Sequence, residues 1–351
     1  MRAELLGVNS GRWASFLADV RHDFYHLPGY VALCANQERG EPQALLVSQG
    51  KRNMLLPIII RPIPGGGYDA TSPYGYPGPL DSGPGDARFM RDALIAGIRL
   101  LESVGIVSLF VRLHPLLNRA PLESVGQIVE EGDVASIDLT LSADELWRQT
   151  RAGHRSQIRQ AMRDGREATF DDSWSYYDAF KGLYRATMTR VSASAQYFFD
   201  DAYFDGLRLV LGDRLRLCVV VIDGALAAGA LFVETCGIVQ FHLSGTDPAF
   251  GREGLTKLLI HFVRLWAKER GSIDLHLGGG VGAADDALLR FKSGFSPLRY
   301  PFRTLRVIVN EAEYSQLMQT CDTGTTNVRA TTFFPEYRDP VLQLRPRAAS
   351  S

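Results

Sequence analysis

Cysteine is scarce: four in 351 residues, at positions 34, 218, 236 and 321, with no CxxC pair. That spacing argues against a disulfide framework and a thiolate zinc site. Long hydrophobic runs are missing too. No apolar stretch reaches the ~18 residues that a membrane-spanning helix requires. The longest candidate, around Leu215–Val221, is flanked by Asp213, Arg214 and Asp223 and reads as a buried strand. The opening residues, Met1-Arg2-Ala3-Glu4-Leu5-Leu6, lack the apolar core of a signal peptide, so a cytoplasmic location is expected. The chain has almost no net charge: 38 basic and 39 acidic side chains leave −1. The chain as a whole is therefore no polyanion binder, and any nucleic-acid contact must come from a local patch. Lysine occurs only at 51, 181, 257, 268 and 292. His22 and His26 have helical i,i+4 spacing but no evident third ligand, so no metal or other cofactor is expected.

What is present is ordinary globular chemistry, 46% hydrophobic and 22% charged, at a length that suggests two domains. Two segments share one order of elements. In the first, a strand at Met54–Ile60 leads to an aromatic-glycine-proline loop, Tyr68–Leu80. A helix from Asp86 to Ser103 follows, and Gly105 opens a strand, Ile106–Leu113. In the second, strands Ala227–Glu234 and Val239–Ser244 precede a helix from Arg252 to Arg270, and Gly271 opens the strand Ile273–Leu277. The two glycines lie 166 positions apart, 105 to 271. Strands interleaved with amphipathic helices predict α/β layers, and the repeated order predicts a duplicated unit. The division expected is 1–140, 141–340 and a disordered tail, 341–351. At the join, Ser142-Ala143-Asp144-Glu145 is a capping box. It starts a helix predicted to run to Asp164, with Gly165 as its stop.

Four pieces of the second half form a constellation. They are Arg155-Ser156-Gln157-Ile158-Arg159-Gln160-Ala161 with Gly165; Leu183–Arg190 followed by Tyr197-Phe198; Phe241-His242-Leu243-Ser244-Gly245-Thr246; and His276-Leu277-Gly278-Gly279-Gly280 followed by Phe291-Lys292-Ser293-Gly294-Phe295. In the first half, Gly78-Pro79-Leu80-Asp81 stands in the expected order before them, with Pro77 where an arginine is usual. Over roughly residues 55–300 the chain resembles the Fem family of nonribosomal aminoacyltransferases and their GNAT relatives. The resemblance implies two tandem GNAT-like (acyl-CoA N-acyltransferase-like) domains of α/β class. It also implies transfer of an amino acid from a transfer RNA ester, or an acyl group from coenzyme A, to an amine of a peptide or peptidoglycan precursor. The family's long coiled-coil insertion is absent here.

The resemblance implies that Lys292 stabilises the oxyanion, with Phe291 packed near the acceptor end of the donor; otherwise Lys292 is a surface lysine on a short helix starting near Asp285. Arg190 and Asp81 are the expected acceptor ligands, with Tyr197 and His242, in a cleft between the halves. An arginine fork suits a diphosphate or carboxylate, though Arg190 could equally answer a helix dipole and Asp81 could form a turn. For a general base the sequence offers Glu234, His242, Asp247 and His276 at strand ends, none of them marked out.

The residues also carry a separate signal. Arg151, Arg155, Arg159 and Arg163 recur every fourth position on one predicted helix, with Arg148 and Arg166 beside them. Like charges so spaced repel by about 0.2–0.5 kcal/mol a pair. Transfer RNA phosphates would relieve that, and a solvated basic face is the plainer alternative. The loop Phe250–Thr256 fits the pyrophosphate signature of the fold only at Arg252 and Gly254, and Glu253 would repel a phosphate. The expected activity is thus amide-forming aminoacyl transfer from aminoacyl-tRNA to a peptide or nucleotide-linked small-molecule acceptor, with no DNA involved. An acyl-CoA N-acyltransferase, a non-catalytic ligand-binding module and a sequence-specific nucleic-acid binder are the rivals.

Overall fold

The computed structural model describes residues 1–83, 85–118, 122, 124–280, 285–322, 333–339 and 343–344. The chain forms two compact units. One comprises Met1–Glu130 and Arg303–Ser351, the other Glu131–Phe302. The chain beyond Phe302 therefore returns to the first unit, whereas the sequence assigns everything up to 340 to the second. Backbone pairing is the reason: Thr304–Ile308 run antiparallel to Ser108–Arg112. Within the tail expected from 341, Gln343–Leu344 pair with Cys321–Asp322, and residues 345–351 lie outside the described residues.

The first unit begins with β1 (Arg2–Gly7), α1 (Gly11–Asp19), α2 (Pro28–Glu38), β2 (Glu41–Gln49), β3 (Arg52–Pro62), β4 (Tyr68–Thr71), β5 (Leu80–Asp81), α3 (Ala87–Ser103) and β6 (Ile106–Arg112). The expected loop at 68–80 thus opens with a short strand. The second unit contains β7 (Gln127–Asp138) from Glu131 on, α4 (Ala143–Gln149), α5 (Ala152–Arg163), β8 (Thr169–Phe170), α6 (Tyr177–Arg190), α7 (Asp201–Leu211), β9 (Leu215–Ile222), β10 (Ala225–Thr235), β11 (Ile238–Thr246), α8 (Leu255–Glu269), β12 (Asp274–Gly279) and α9 (Ala287–Lys292). Then β13 (Arg299–Ile308), from Arg303 on, and α10 (Glu311–Thr320) complete the first.

Each unit repeats one topology. In the first, β3 and β4 are antiparallel, α3 follows, and β6 runs parallel to β4. In the second, β10 and β11 are antiparallel, α8 follows, and β12 runs parallel to β11. Gly105 and Gly271, which open the two parallel strands, both have left-handed backbone, φ 82° and 79°, a conformation that costs glycine little. In the second unit the order is β7-β12-β11-β10-β9-β8. Its core joins the sheet to α5 and α8 through Ile158, Ala161, Leu255, Leu258, Leu259 and Val263. These are the inward positions of amphipathic helices.

The helix predicted across 142–164 is broken at Thr150–Arg151. Its capping box forms as expected, with Glu145 N donating to Ser142 Oγ at 3.2 Å and Ser142 N to Glu145 Oε2 at 2.9 Å. Arginine side chains donate into the break. The buried Arg264 guanidinium donates to Leu146 O at 3.2 Å and to Thr150 Oγ1 at 2.7 Å. Arg155 takes the carbonyls of Arg148 and Thr150. These bonds occupy carbonyls that a continuous helix would use. Gly165, with φ 72°, ends α5 as expected.

Candidate active site in the second unit

The site is built on a fork. β11 and β12 pair only over Ile238–Asp274, Val239–Leu275 and Gln240–His276 among the described residues. Beyond that, β11 follows β10 as far as Thr246, and β12 follows β7 as far as Gly279. Both strands are irregular where they part. Leu231 opposes Leu243 and Phe232 opposes Phe241, so His242 is the extra residue of a bulge. On the other arm the register slips between His276 and Gly278, leaving Leu277 extra. Bulges re-aim side chains and recur beside active sites.

Lys292 ends α9, whose first turn is capped by the Asp286 carboxylate accepting from Leu289 N at 2.8 Å. Its side chain is buried, 9% exposed, so the surface-lysine alternative does not hold. Its ammonium donates to Gly279 O at 2.7 Å, at the tip of the β12 arm. Burial lowers its pKa from 10.5 to about 8, with Asp286 pulling the other way. It remains mostly cationic at neutral pH and is aimed at the end of the fork.

The neighbouring residues hold that placement. Phe291 packs edge-on to His154, with centroids 5.5 Å apart, and Phe295 lies 4.9 Å from the same imidazole. Gly294 O accepts from Arg151 N at 2.7 Å. The Phe-Lys-x-Gly-Phe stretch is thus a box around His154 of α5. Burial lowers the His154 pKa to about 4. The Lys257 ammonium lies 5.2 Å from the Phe291 ring centroid, and burial lowers its pKa as well. Sequence reasoning missed both residues as parts of the site. Lys257 could have been found as one of only five lysines, one turn into the helix after Gly254; His154 reads as an ordinary apolar-face residue.

α8 starts at Leu255 instead of Arg252, because Gly254 adopts φ 72° and forms the N-cap without a side-chain bond. A Cβ there would lie 2.9 Å from Gln157 Cβ. Arg252 is exposed in the preceding turn. Glu253 is not a bare negative charge: Arg166 Nε donates to its Oε2 at 3.0 Å, so its charge is answered beside that helix start. The corresponding helix of the first unit differs. The Asp86 carboxylate caps α3, accepting from Arg88 N at 2.9 Å, so an anion already occupies that N-terminus. Near α8, Thr246 Oγ1 and Thr256 Oγ1 lie 2.8 Å apart. Arg190, exposed at the end of α6, donates to Thr246 O at 3.2 Å.

The remaining predicted residues are placed as follows. His242 Nε2 lies 3.2 Å from Tyr203 Oη. Tyr197 O accepts from Tyr184 Oη at 2.7 Å. Asp81, in the first unit, binds Arg52 Nε at 3.0 Å and accepts from Gly83 N at 2.8 Å, so its carboxylate is engaged in an ion pair and a turn. Arg151, Arg159 and Arg163 are exposed on α5, while Arg155 is half-buried. Arg159 stacks on Trp147 at 5.1 Å and Arg163 donates to Gln160 at 2.6 Å. His22 and His26 are not helical partners; the only regular turn there is Phe24–His26, and both rings are buried. Among the described residues no three His, Cys, Asp or Glu side chains converge as a metal site, and no helix is long and apolar enough to cross a membrane.

No curated protein matches the chain by sequence. In structure it is similar to FemX, with a TM-score of 0.68 and 13% identity over 90% of this chain and 99% of that one. It is also similar to a conserved protein of unknown function from Bacteroides thetaiotaomicron, with a TM-score of 0.57 and 12% identity over 84% and 96%. The C-terminal domain (DUF2156) of a candidate lysylphosphatidylglycerol synthetase from Agrobacterium fabrum has a TM-score of 0.55 and 16% identity over 88% and 95%. Residues 148–293, nearly the whole second unit, match the family described as acetyltransferase (GNAT) domain. Residues 148–293 therefore match an acetyltransferase (GNAT) domain, and the fold of the chain is similar to that of FemX.

Proposed function

We propose that the protein forms amide bonds, transferring an aminoacyl group from aminoacyl-tRNA to the amine of a peptide or nucleotide-linked acceptor. The observation that carries the reading is the buried Lys292 ammonium at the tip of the β11–β12 fork. Where two strands part, an extended donor arm can enter between them. The carbonyl oxygen that turns negative during acyl transfer then needs a fixed cation or hydrogen-bond donor in a dry place. Lys292 meets that need without a metal.

The choice of transfer RNA rests on α5. Arg151, Arg159 and Arg163 are exposed on the helix that His154 and Arg151 N fasten to the Lys292 segment. Contacts to phosphates release counterions, so donor binding should weaken steeply with salt. The test is a donor titration with alanyl-tRNA at two salt concentrations, on the parent and on Arg159→Glu/Arg163→Glu. The expected result is a higher apparent KM with kcat nearly unchanged, since these residues contribute uniform binding. Equal donor use by the double variant refutes the transfer-RNA reading. A second reading, acyl transfer from coenzyme A, is favoured by one specific observation. Gly254 leaves the N-terminus of α8 without a side-chain cap while Glu253 is paired with Arg166, and such a terminus suits a phosphate.

A further inference from the structure

Amide formation leaves one proton to move, and of the four residues the sequence offers, the structure separates one. Glu234 is bound to Arg270 at 2.9 Å and to Ser272 at 3.1 Å, near the end of β10 that pairs with Ile238, where β11 begins. Asp247 caps the following turn, accepting from Ala249 N at 2.8 Å. His276 is fully buried inside the paired part of the ladder, 2.8 Å from Gln240 Oε1. His242 differs from all three. It lies two residues past the last β11–β12 pair, it is the bulged residue, it is half-buried, and Tyr203 of α7 lies against its Nε2. From the last pair, Gln240–His276, His242 is two residues along one arm and Gly279, whose carbonyl holds Lys292, is three along the other. One arm of the fork thus carries an imidazole, and the other carries the carbonyl that holds an ammonium.

We propose that His242 is the general base of the reaction and that Tyr203 is its positioning residue; this rests on the acyl-transfer reading of the Lys292 site. Tyr203 is itself fixed, buried at 2% exposure and stacked on Phe199 with centroids 4.0 Å apart. In this proposal the Tyr203 oxygen accepts from Nε2–H, which sets the tautomer in which Nδ1 carries the lone pair. The acceptor reacts as a neutral amine. Its nitrogen attacks the donor carbonyl carbon, forming the C–N bond, and the carbonyl π pair moves to oxygen beside Lys292. The nitrogen, now positively charged, loses one N–H proton to His242 Nδ1. The oxyanion collapses, the C–O bond of the ester (or C–S bond of a thioester) breaks, and the leaving oxygen or sulfur takes the proton back from the imidazolium. One N–H and one C–O or C–S bond are exchanged for one C–N and one O–H or S–H bond, and the imidazole is regenerated.

Two measurements test this. The first is transfer to a lysine-terminated peptide from alanyl-tRNA and, in a separate arm, from acetyl-coenzyme A. His242→Gln should lower kcat by about 10²–10⁴-fold, the range of a lost general base, and added imidazole should restore part of the activity of His242→Ala. A parent-like His242→Gln alongside an inactive Lys292→Met overturns the assignment of His242 and leaves the acyl-transfer reading standing. Parent-like activity of Lys292→Met as well means that the reading itself has failed. The second needs no substrate: long-range ¹⁵N NMR of the imidazole, assigned by its loss in His242→Gln. The parent should show one tautomer, protonated at Nε2, and Tyr203→Phe should show a mixture. A parent imidazole protonated at Nδ1, or a tautomer indifferent to Tyr203→Phe, overturns the proposal.

Discussion

Gly294 stands so close to His154 that a Cβ on it would lie 1.8 Å from imidazole Cε1 and 2.1 Å from Nδ1. The glycine of the Phe-Lys-x-Gly-Phe stretch is therefore there to admit a ring, at the place where α5 is fastened beside Lys292. Gly294→Ala should destabilise the second unit by about 1–3 kcal/mol, the scale of core overpacking. Adding His154→Ala should recover part of that loss. Urea midpoints of the single and double variants check both statements; an unchanged midpoint in Gly294→Ala would show that the ring does not need the space.

The Arg166–Glu253 pair predicts an asymmetry in donor binding. Glu253→Gln leaves the Arg166 cation unanswered beside the start of α8 and should tighten coenzyme A binding modestly, since a partly exposed pair is well screened. Arg166→Gln leaves the carboxylate bare there and should weaken binding, with the difference shrinking in high salt. Calorimetric titration of both variants with coenzyme A measures it. The opposite order would contradict this.

Acid should destabilise the fold through buried histidines. Burial lowers the pKa of His26 to about 3 and of His261 to about 4, with the charges of His114 and Arg264 respectively adding to the effect. His154 lies at about 4 for the same first reason. These rings are neutral in the folded chain, and the unfolded value is 6.5. Between pH 6.5 and about 4 the unfolded chain binds the more protons, so stability is full above that window and falls as pH drops through it. His261 also accepts from the buried Arg264 at 2.9 Å, so its protonation sets two cations together. Urea midpoints across this window should fall, and His261→Gln should flatten the slope.

Much of this architecture is legible in local residues. The Ser142–Glu145 box, the stop at Gly165 and the glycines at 105 and 271 are local signals, and each is found as read. The break at Thr150 was not legible, because one of the donors that hold it, Arg264, lies more than a hundred residues away in sequence. The return of 303–308 to the first unit is a pairing with Ser108–Arg112, and no periodicity reports a distant strand partner. In the site, Lys292 is visible as a rare lysine in a distinctive run, but its burial and its bond to Gly279 depend on where β12 ends. His242 looks like any strand histidine until the bulge and the end of the ladder are known. Glu253 reads as a repelling charge because its partner, Arg166, belongs to another helix end.

Lys292 links stability to activity in a way that makes it the cleanest probe. Its folded pKa of about 8 is below the unfolded 10.5. Between those values the unfolded chain holds the more protons, so stability rises with pH across that window. At pH 7 the buried cation is a net cost to the fold. Lys292→Met should therefore be as stable as the parent at pH 7, or more so, while losing the group that meets the oxyanion. In the parent, kcat should fall as pH rises through about 8, as the ammonium loses its proton. The decisive measurement is kcat of Lys292→Met at pH 7, from whichever of alanyl-tRNA and acetyl-coenzyme A supports turnover, with the urea midpoint taken on the same sample. The account predicts a loss of about 10²–10³-fold in a protein no less stable than the parent; near-parental turnover in the folded variant would contradict it.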